Sequence, residues 1–432
     1  MSNKAQQKRR LKAVTLGCSK NTVDTEHLLA QLPESDFEIV EDGPADCLLV
    51  NTCGFIGDAK EESVNAVLEA VAAKARGEAG EVIVFGCLSQ RYGAELKEEI
   101  PEVDAWFGAR ELAPVLRHLG VNPGTSTARR MPSGKGYAYL KISEGCDRRC
   151  SYCAIPFIRG AHRSVPMEAL VQEAQALAAG GVKELILIAQ DTTYYGLDLY
   201  HRRALAELIG RLSEIDGIEW IRIHYSYPAD FPDDVLQQMA DNPKVCKYLD
   251  IPLQHIADGV LDRMHRNVDG AWTRELISRL RARVPGVVLR TTMIVGHPGE
   301  TPEQFAELLD FVRVARFERL GAFTYSEEEG TYDASHFPDD VPQEEKQRRL
   351  DELMSLQSGI SYQYNRSRVG GVERVLVDEV MPDGTLVCRS QYESPDVDGE
   401  ILVKGAQASI GEFITVKITG AEEYDLEAER IL

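Results

Sequence analysis

The run Glu144-Gly145-Cys146-Asp147-Arg148-Arg149-Cys150-Ser151-Tyr152-Cys153 sets three thiols at a C-x₃-C-x₂-C spacing. Three thiols cannot all pair as disulfides, because one is always left over. They can hold one iron–sulfur cluster through three of its irons, an established use of closely spaced thiolates. A structural zinc site wants four ligands, and His162 is the one further candidate within about ten residues. The missing fourth ligand leaves one metal position open for a substrate or cofactor, as catalytic metal sites do.

Around this run lies a chain of 432 residues, long enough for two or three domains with separate cores. Its composition, 44% hydrophobic and 27% charged, is that of an ordinary globular protein. The start, Met1 to Arg10, is polar and basic with no apolar run behind it, so no secretory signal is expected. No stretch approaches the roughly 18 consecutive apolar residues of a membrane span. A cytoplasmic protein is expected. Nine cysteines, an odd and scattered number, then read as metal or redox sites rather than a disulfide framework. The net charge of −21, from 48 basic and 69 acidic residues, argues against sequence-independent nucleic-acid binding, which needs cations to neutralise phosphates.

Upstream, over residues 1–130, apolar runs at Leu11–Leu16, Cys47–Val50 and Val82–Phe85 alternate with helical patterns from Asn21, Asp58 and Arg91. That alternation predicts a doubly wound, mostly parallel sheet. Cys18, Cys53 and Cys87 each sit just past the carboxyl end of a strand. In a parallel sheet those ends share one edge, where open α/β sheets bind ligands. Three thiols far apart in sequence are therefore expected to meet, with Gly17, Gly54 and Gly86 permitting sharp turns beside them. Cys47 begins its strand and is assigned to the core. Cys246 and Cys388 stand in no motif and are read as structural.

Downstream, over residues 131–366, a turn-rich linker at Met131–Gly136 precedes six strand-like segments. These are Ala138–Ile142, Glu184–Ala189, Trp220–His224, Tyr248–Ile251, Val287–Val295 and Leu320–Tyr325, with amphipathic helical patterns between. Six βα units fall short of the eight that close a TIM barrel, so a partial (β/α)₆ barrel is expected. Polar residues crowd the strand ends: Gln190 and Asp191, Arg222 and His224, Gln254, and the Gly296-His297-Pro298-Gly299-Glu300 turn. By position Gln190, Asp191, Arg222, His224, Gln254 and Gly296 are candidates to line a cofactor pocket. Arg159 and Arg163 follow the cysteine run without assignable partners. A helix from Gln343 to about Tyr364 leads to residues 367–432. There five short strand patterns, at Val372–Val380, Thr385–Arg389, Glu400–Val403, Phe413–Thr419 and Tyr424–Ala428, predict a small OB-like β-barrel. From Gly371 onward that module carries 14 acidic and 5 basic residues.

The cysteine run resembles the signature of the radical S-adenosylmethionine (SAM) enzymes, which implies a cluster whose open iron chelates SAM, with Tyr152 near the adenine. Val14-Thr15-Leu16-Gly17-Cys18-Ser19-Lys20-Asn21, Asn51-Thr52-Cys53-Gly54-Phe55-Ile56 and Gly86-Cys87-Leu88-Ser89-Gln90 resemble the motifs of the methylthiotransferases. That resemblance runs from about residue 11 to the C-terminus and implies two [4Fe–4S] clusters, held by Cys146, Cys150 and Cys153 and by Cys18, Cys53 and Cys87. It implies a C-terminal TRAM domain and two SAM equivalents per reaction. One SAM methylates a sulfur on the auxiliary cluster. The other is cleaved to a radical that takes hydrogen from the substrate carbon, which then collects the methylthio group. A low-potential donor such as a flavodoxin or ferredoxin is implied, and no membrane.

Two branches of the family differ in substrate: one modifies an aspartate of small-subunit ribosomal protein S-twelve, the other (MiaB-like) an adenosine of tRNA. Leu16–Asn21 with Val23-Asp24, and Ala59-Lys60-Glu61-Glu62-Ser63 after the second motif, look like the first form. The acidic terminal module independently favours a basic protein over RNA. A two-cluster electron carrier is a third reading, but it has no use for a barrel with polar strand ends.

Overall fold

Strands buried on both faces read as continuous apolar runs, and the first sheet is built from such runs. This computed structural model describes residues 8–124, 127–131 and 134–431. Residues 1–7 and Pro132-Ser133 of the expected linker lie outside the described residues. Strands β1 (Arg9–Thr15), β2 (Phe37–Ile39), β3 (Ala45–Thr52), β4 (Ala79–Gly86) and β5 (Ala105–Trp106) form one parallel sheet in the order β2-β1-β3-β4-β5. One face packs Leu48, Val50, Val82 and Val84 on Val67 and Ala70 of the helix Gly57–Ala75. The other packs Leu49, Ile83 and Phe85 with Leu28 of the helix Ser19–Ala30. The expected doubly wound sheet is present, with two edge strands the apolar runs did not reveal. Strands β2 and β5 are only three and two residues long, too short for a pattern.

Six further strands, β6 (Tyr137–Lys141), β7 (Glu184–Ile188), β8 (Trp220–Ile223), β9 (Val245–Asp250), β10 (Val288–Val295) and β11 (Arg319–Thr324), form a second parallel sheet in sequence order. Helices connect them as a βα repeat requires. The C-terminal strands β12 (Val372–Val380), β13 (Leu386–Arg389), β14 (Ile401–Val403), β15 (Phe413–Ala421) and β16 (Leu426–Arg430) close into a five-stranded barrel. Val375, Val377, Ile401, Val416 and Ile418 fill it, and Cys388 lies buried among them. No described helix is long and apolar enough to cross a membrane.

The chain divides into two compact units. The first holds the described residues up to Met131 with 144–147 and 154–162. The second holds the six-stranded sheet, residues 148–153 and the C-terminal barrel. The opening cysteine run is thus shared, its first thiol in one unit and the other two in the second.

Within the second unit, the loop Ser390–Asp398 of the small barrel explains how the six-stranded sheet curls. Tyr139 on edge strand β6 donates to Asp396 Oδ2 at 2.8 Å. Arg319, opening the opposite edge strand β11, bonds Glu393 Oε1 at 2.9 Å. One loop thus bonds both edge strands of the six-stranded sheet, which curls as a partial barrel. Tyr248 donates to Asp398 at 2.7 Å, and Trp220, Cys246, Tyr248 and Val288 pack on Leu376 of β12.

Buried charge joins the two barrels. Glu184 receives Arg222 at 2.7 Å and Arg389 at 2.8 Å, all three inaccessible or nearly so. Glu393 receives Arg319 and Arg368. Burial by itself would raise the Glu393 carboxyl, but Arg368 and Arg319 outweigh it and bring it down to about 2. A depressed carboxyl stabilises the fold fully above its unfolded value of about 4.3, and that stabilisation is lost as pH falls through the folded value. Glu393→Gln leaves Arg319 without a carboxylate partner among the described residues and Arg368 with Glu373 alone, an expected loss of about 3 kcal/mol at neutral pH. Thermal unfolding against pH should show the parent losing stability between about 4.3 and 2 while the variant stays flatter there.

Candidate functional site

In the first unit, each expected thiol stands where a strand hands over to a helix. Cys18 caps the helix Ser19–Ala30 after β1, Cys53 follows β3, and Cys87 opens the helix Cys87–Glu99 after β4. Their loops touch. A Cβ on Gly17 would lie 2.7 Å from Cys53 Cβ and 2.8 Å from its Sγ. A Cβ on Gly54 would lie 2.7 Å from the Cα of Leu88 and 2.9 Å from the carbonyl carbon of Cys87. Only glycine lets these three turns approach so closely. Ser63 braces the second loop, accepting from the Cys53 amide at 2.9 Å and donating to its carbonyl at 2.8 Å. Asn21 ties β1 to β3 by donating to Leu16 O at 2.8 Å and Thr52 O at 3.2 Å.

Burial pushes the Cys87 thiol up to about 12 and raises Cys53 also, although the Arg159 guanidinium opposes it at both. These thiols stay protonated until a metal displaces the proton, as cluster ligands must be thiolates. Among the described residues no three His, Cys, Asp or Glu side chains converge as they would around a single ion. A cluster puts each thiolate on a different iron, so such convergence is not its mark. Three soft donors on a glycine-crowded sheet edge fit a cluster. Cys47, by contrast, is buried in the core as expected.

Arg159 gains partners that its sequence neighbours did not disclose. The short helix Ile155–Arg159 seats Ala154 and Ile158 against Cys87 and Ala109. Arg159, 3% exposed, donates from Nη1 to Asp24 at 2.7 Å and Glu144 at 3.2 Å. Its Nη2 donates to Asn21 Oδ1 and, at 3.3 Å, to Cys87 Sγ. Cys146 donates its amide to Gly160 O at 3.0 Å in the same unit.

In the second unit, Cys150 and Cys153 bracket a turn closed by Cys153 N to Cys150 O at 3.1 Å. Ser151 anchors the turn, donating to Met264 O at 3.2 Å and accepting from Asp333 N at 3.0 Å. Tyr152 packs on Ala257, Val260 and Met264, and burial raises its hydroxyl well above the usual range. Arg266 donates to Cys150 Sγ at 3.4 Å, Tyr152 Oη at 3.3 Å and Pro252 O at 2.6 Å. Tyr227 is flanked by two guanidiniums, Arg148 at 4.1 Å and Arg266 at 4.4 Å from its ring centre.

The strand-end candidates separate into groups. Asp191 accepts from Thr193 N at 2.9 Å and from Arg148 Nε at 2.9 Å, so it fixes both its own turn and the cysteine loop. Its neighbour Gln190 is half-buried at the end of β7. Gln254 holds φ +75, uncommon for a residue with a side chain, and its buried Oε1 has no partner among the described residues. Gly296 has φ +70 and faces Lys346, leaving no room for a Cβ, so its side-chain absence has a packing cause. Arg222 and His224 depart from expectation. Every nitrogen of Arg222 is spent on Glu184, Gln391 O or Ser390 O, and His224 Nε2 bonds Ser394 Oγ at 2.8 Å. Both face the small barrel. The residues that sequence reasoning passed over are Arg148 and Arg266, whose only linear signal was proximity to motifs; Tyr227, just after the third strand, was expected near the pocket by position.

Comparison with known proteins agrees with this anatomy. Residues 10–108 match the "Uncharacterized protein family UPF0004", residues 140–312 the "Radical SAM superfamily" and residues 369–431 the "TRAM domain". Among solved structures, the radical S-adenosylmethionine methyltransferase TsrM from Kitasatospora setae shares the fold. Its TM-score is 0.56 at 15% identity, over 74% of this chain and 75% of that one. The chain is also similar to the "Ribosomal protein uS12 methylthiotransferase RimO" of Porphyromonas gingivalis, 52% identical over 97% of this chain and 98% of that protein. The namesake from Christiangramia forsetii is 50% identical over 99% and 96%. Half of all residues are thus shared across nearly the whole length, and the chain belongs to the RimO family of radical SAM methylthiotransferases.

Proposed function

We propose that this enzyme adds a methylthio group to the β-carbon of an aspartate in ribosomal protein uS12 (S-twelve), using two [4Fe–4S] clusters and two equivalents of SAM. The observation that carries the reading is the near full-length match to uS12 methylthiotransferases in a chain with two separate sets of three thiols. Cys146, Cys150 and Cys153 hold the cluster that binds SAM, and Cys18, Cys53 and Cys87 hold the auxiliary cluster. The bound clusters and SAM supply electron transfer, radical hydrogen abstraction and a transferable sulfur, chemistry beyond any side-chain base acting on an unactivated methylene.

The chain's own residues position and insulate. Asp191 clamps Arg148 and with it the cysteine loop. Tyr152 lays an apolar ring beside that loop, and Gln254 offers an unpartnered amide oxygen to SAM. Gln190 and the Gly296 backbone complete the candidate pocket. Of the 14 acidic residues after Gly371, nine are exposed, a surface that favours a basic ribosomal protein over tRNA. The others serve within, as Glu393 does. We assign residues 1–130 to the auxiliary-cluster domain, 131–366 to the radical SAM domain and 367–432 to the TRAM domain, in a cytoplasmic enzyme reduced by a flavodoxin or ferredoxin. The test is product stoichiometry: one S-adenosylhomocysteine and one 5′-deoxyadenosine per methylthio group transferred. A methylthio product formed without S-adenosylhomocysteine would refute the two-SAM reading.

A further inference from the structure

Two buried arginines each meet one thiol of a different set. Arg159 Nη2 lies 3.3 Å from Cys87 Sγ, and Arg266 Nη1 lies 3.4 Å from Cys150 Sγ. Both arginines are 3% exposed. The thiol sulfurs stand in for the cluster-bound thiolates of the loaded enzyme. We propose that these two residues set the reduction potentials of the two clusters, Arg159 for the auxiliary cluster and Arg266 for the one that binds SAM. The inference rests on the two-cluster reading above.

Reduction adds an electron whose charge spreads onto the sulfurs. An N–H donor and a positive charge beside a ligating sulfur stabilise that state, and hydrogen bonds to the sulfurs are a principal lever on cluster potential. Burial magnifies the effect, because the surroundings screen charge poorly. Arginine suits the task because it stays charged and offers a rigid fork of donors.

The two settings differ in a way that orders the sizes. Arg159 also binds the carboxylates of Asp24 and Glu144, which offset its charge. Arg266 has no carboxylate partner among the described residues; its other contacts are the Tyr152 hydroxyl, the Pro252 carbonyl and the Tyr227 ring. Arg266 therefore leaves a net positive charge beside its cluster, and its removal has the larger effect. The helix Ile155–Arg159, which follows the SAM-cluster motif in sequence, carries the donor for the auxiliary thiol.

The test is an anaerobic redox titration of full-length reconstituted protein, followed by electron paramagnetic resonance. Variants with alanine at one set of three cysteines assign each signal to its cluster. R266Q should cut the reduced-to-oxidised ratio of the SAM cluster at fixed potential at least tenfold, about 59 mV for a one-electron couple, and leave the auxiliary cluster unmoved. R159Q with D24N, which removes a buried charge together with its partner, should lower only the auxiliary cluster, and by less. R159K and R266K retain the charge and should restore part of each shift. In parent protein carrying heavy-nitrogen arginine, each reduced cluster should show a guanidinium hyperfine coupling, a readout that needs no variant to assemble. Two clusters by iron and sulfide content, with potentials unmoved and no coupling, would overturn the inference and leave the function intact. A parent protein with one cluster would instead overturn the two-cluster reading itself.

Discussion

Replacing Cys146, Cys150 and Cys153 together by alanine should abolish SAM cleavage, to below detection, while about half the iron and labile sulfide remains bound. The physical ground is that no other side chain in the loop can take a thiolate's place. Among nearby residues, Asp147 accepts from His162 N at 3.0 Å and Arg148 is paired with Asp191. The remaining iron is that proposed for Cys18, Cys53 and Cys87, which follow strands of a separate sheet. Iron analysis with chromatography of 5′-deoxyadenosine checks both halves of the expectation. Retained cleavage in the triple variant would remove the assignment of the opening run.

The complementary variant, with alanine at Cys18, Cys53 and Cys87, should keep SAM cleavage and lose methylthio transfer entirely. The loss of half the iron is again expected, with the fold of the first unit retained. The two cores on the faces of the sheet include none of these three thiols, and Cys87 packs only in the small cluster with Ala109, Ala154 and Ile158. The separation of cleavage from transfer is what distinguishes a sulfur-carrying cluster from a second electron-transfer centre. If both activities fell together, the auxiliary set would be feeding electrons rather than holding sulfur.

Much of this architecture was legible in the chain, for identifiable reasons. Cys18, Cys53 and Cys87 could be brought together in advance because parallel strands align their carboxyl ends, a rule independent of side-chain detail. The six βα units and the five strands of the C-terminal module announced themselves by periodicity. Strands β2 and β5 did not, since three and two residues carry no period.

Side-chain partnerships were the less legible part. Arg222 and His224 looked like pocket residues because they stand at a strand end. What covers them is the loop Ser390–Asp398, about 170 residues further on, and no local pattern declares such a contact. Arg159 was equally opaque, because its partners Cys87, Asp24 and Asn21 lie 72 to 138 residues away. The acidic count of the terminal module overstated its field for the same reason. Glu393, Asp378 and Asp398 are paired with arginines, two of which, Arg319 and Arg290, come from the six-stranded sheet.

The central claim is that two thiol-held clusters in one chain deliver a methylthio group to a ribosomal protein. The most direct measurement incubates reduced, reconstituted enzyme and SAM with purified uS12 and, separately, with tRNA, and reads both by tandem mass spectrometry. The account predicts a methylthio group on the β-carbon of one uS12 aspartate and unmodified tRNA. Methylthiolated adenosine in the tRNA, with uS12 unchanged, would contradict it.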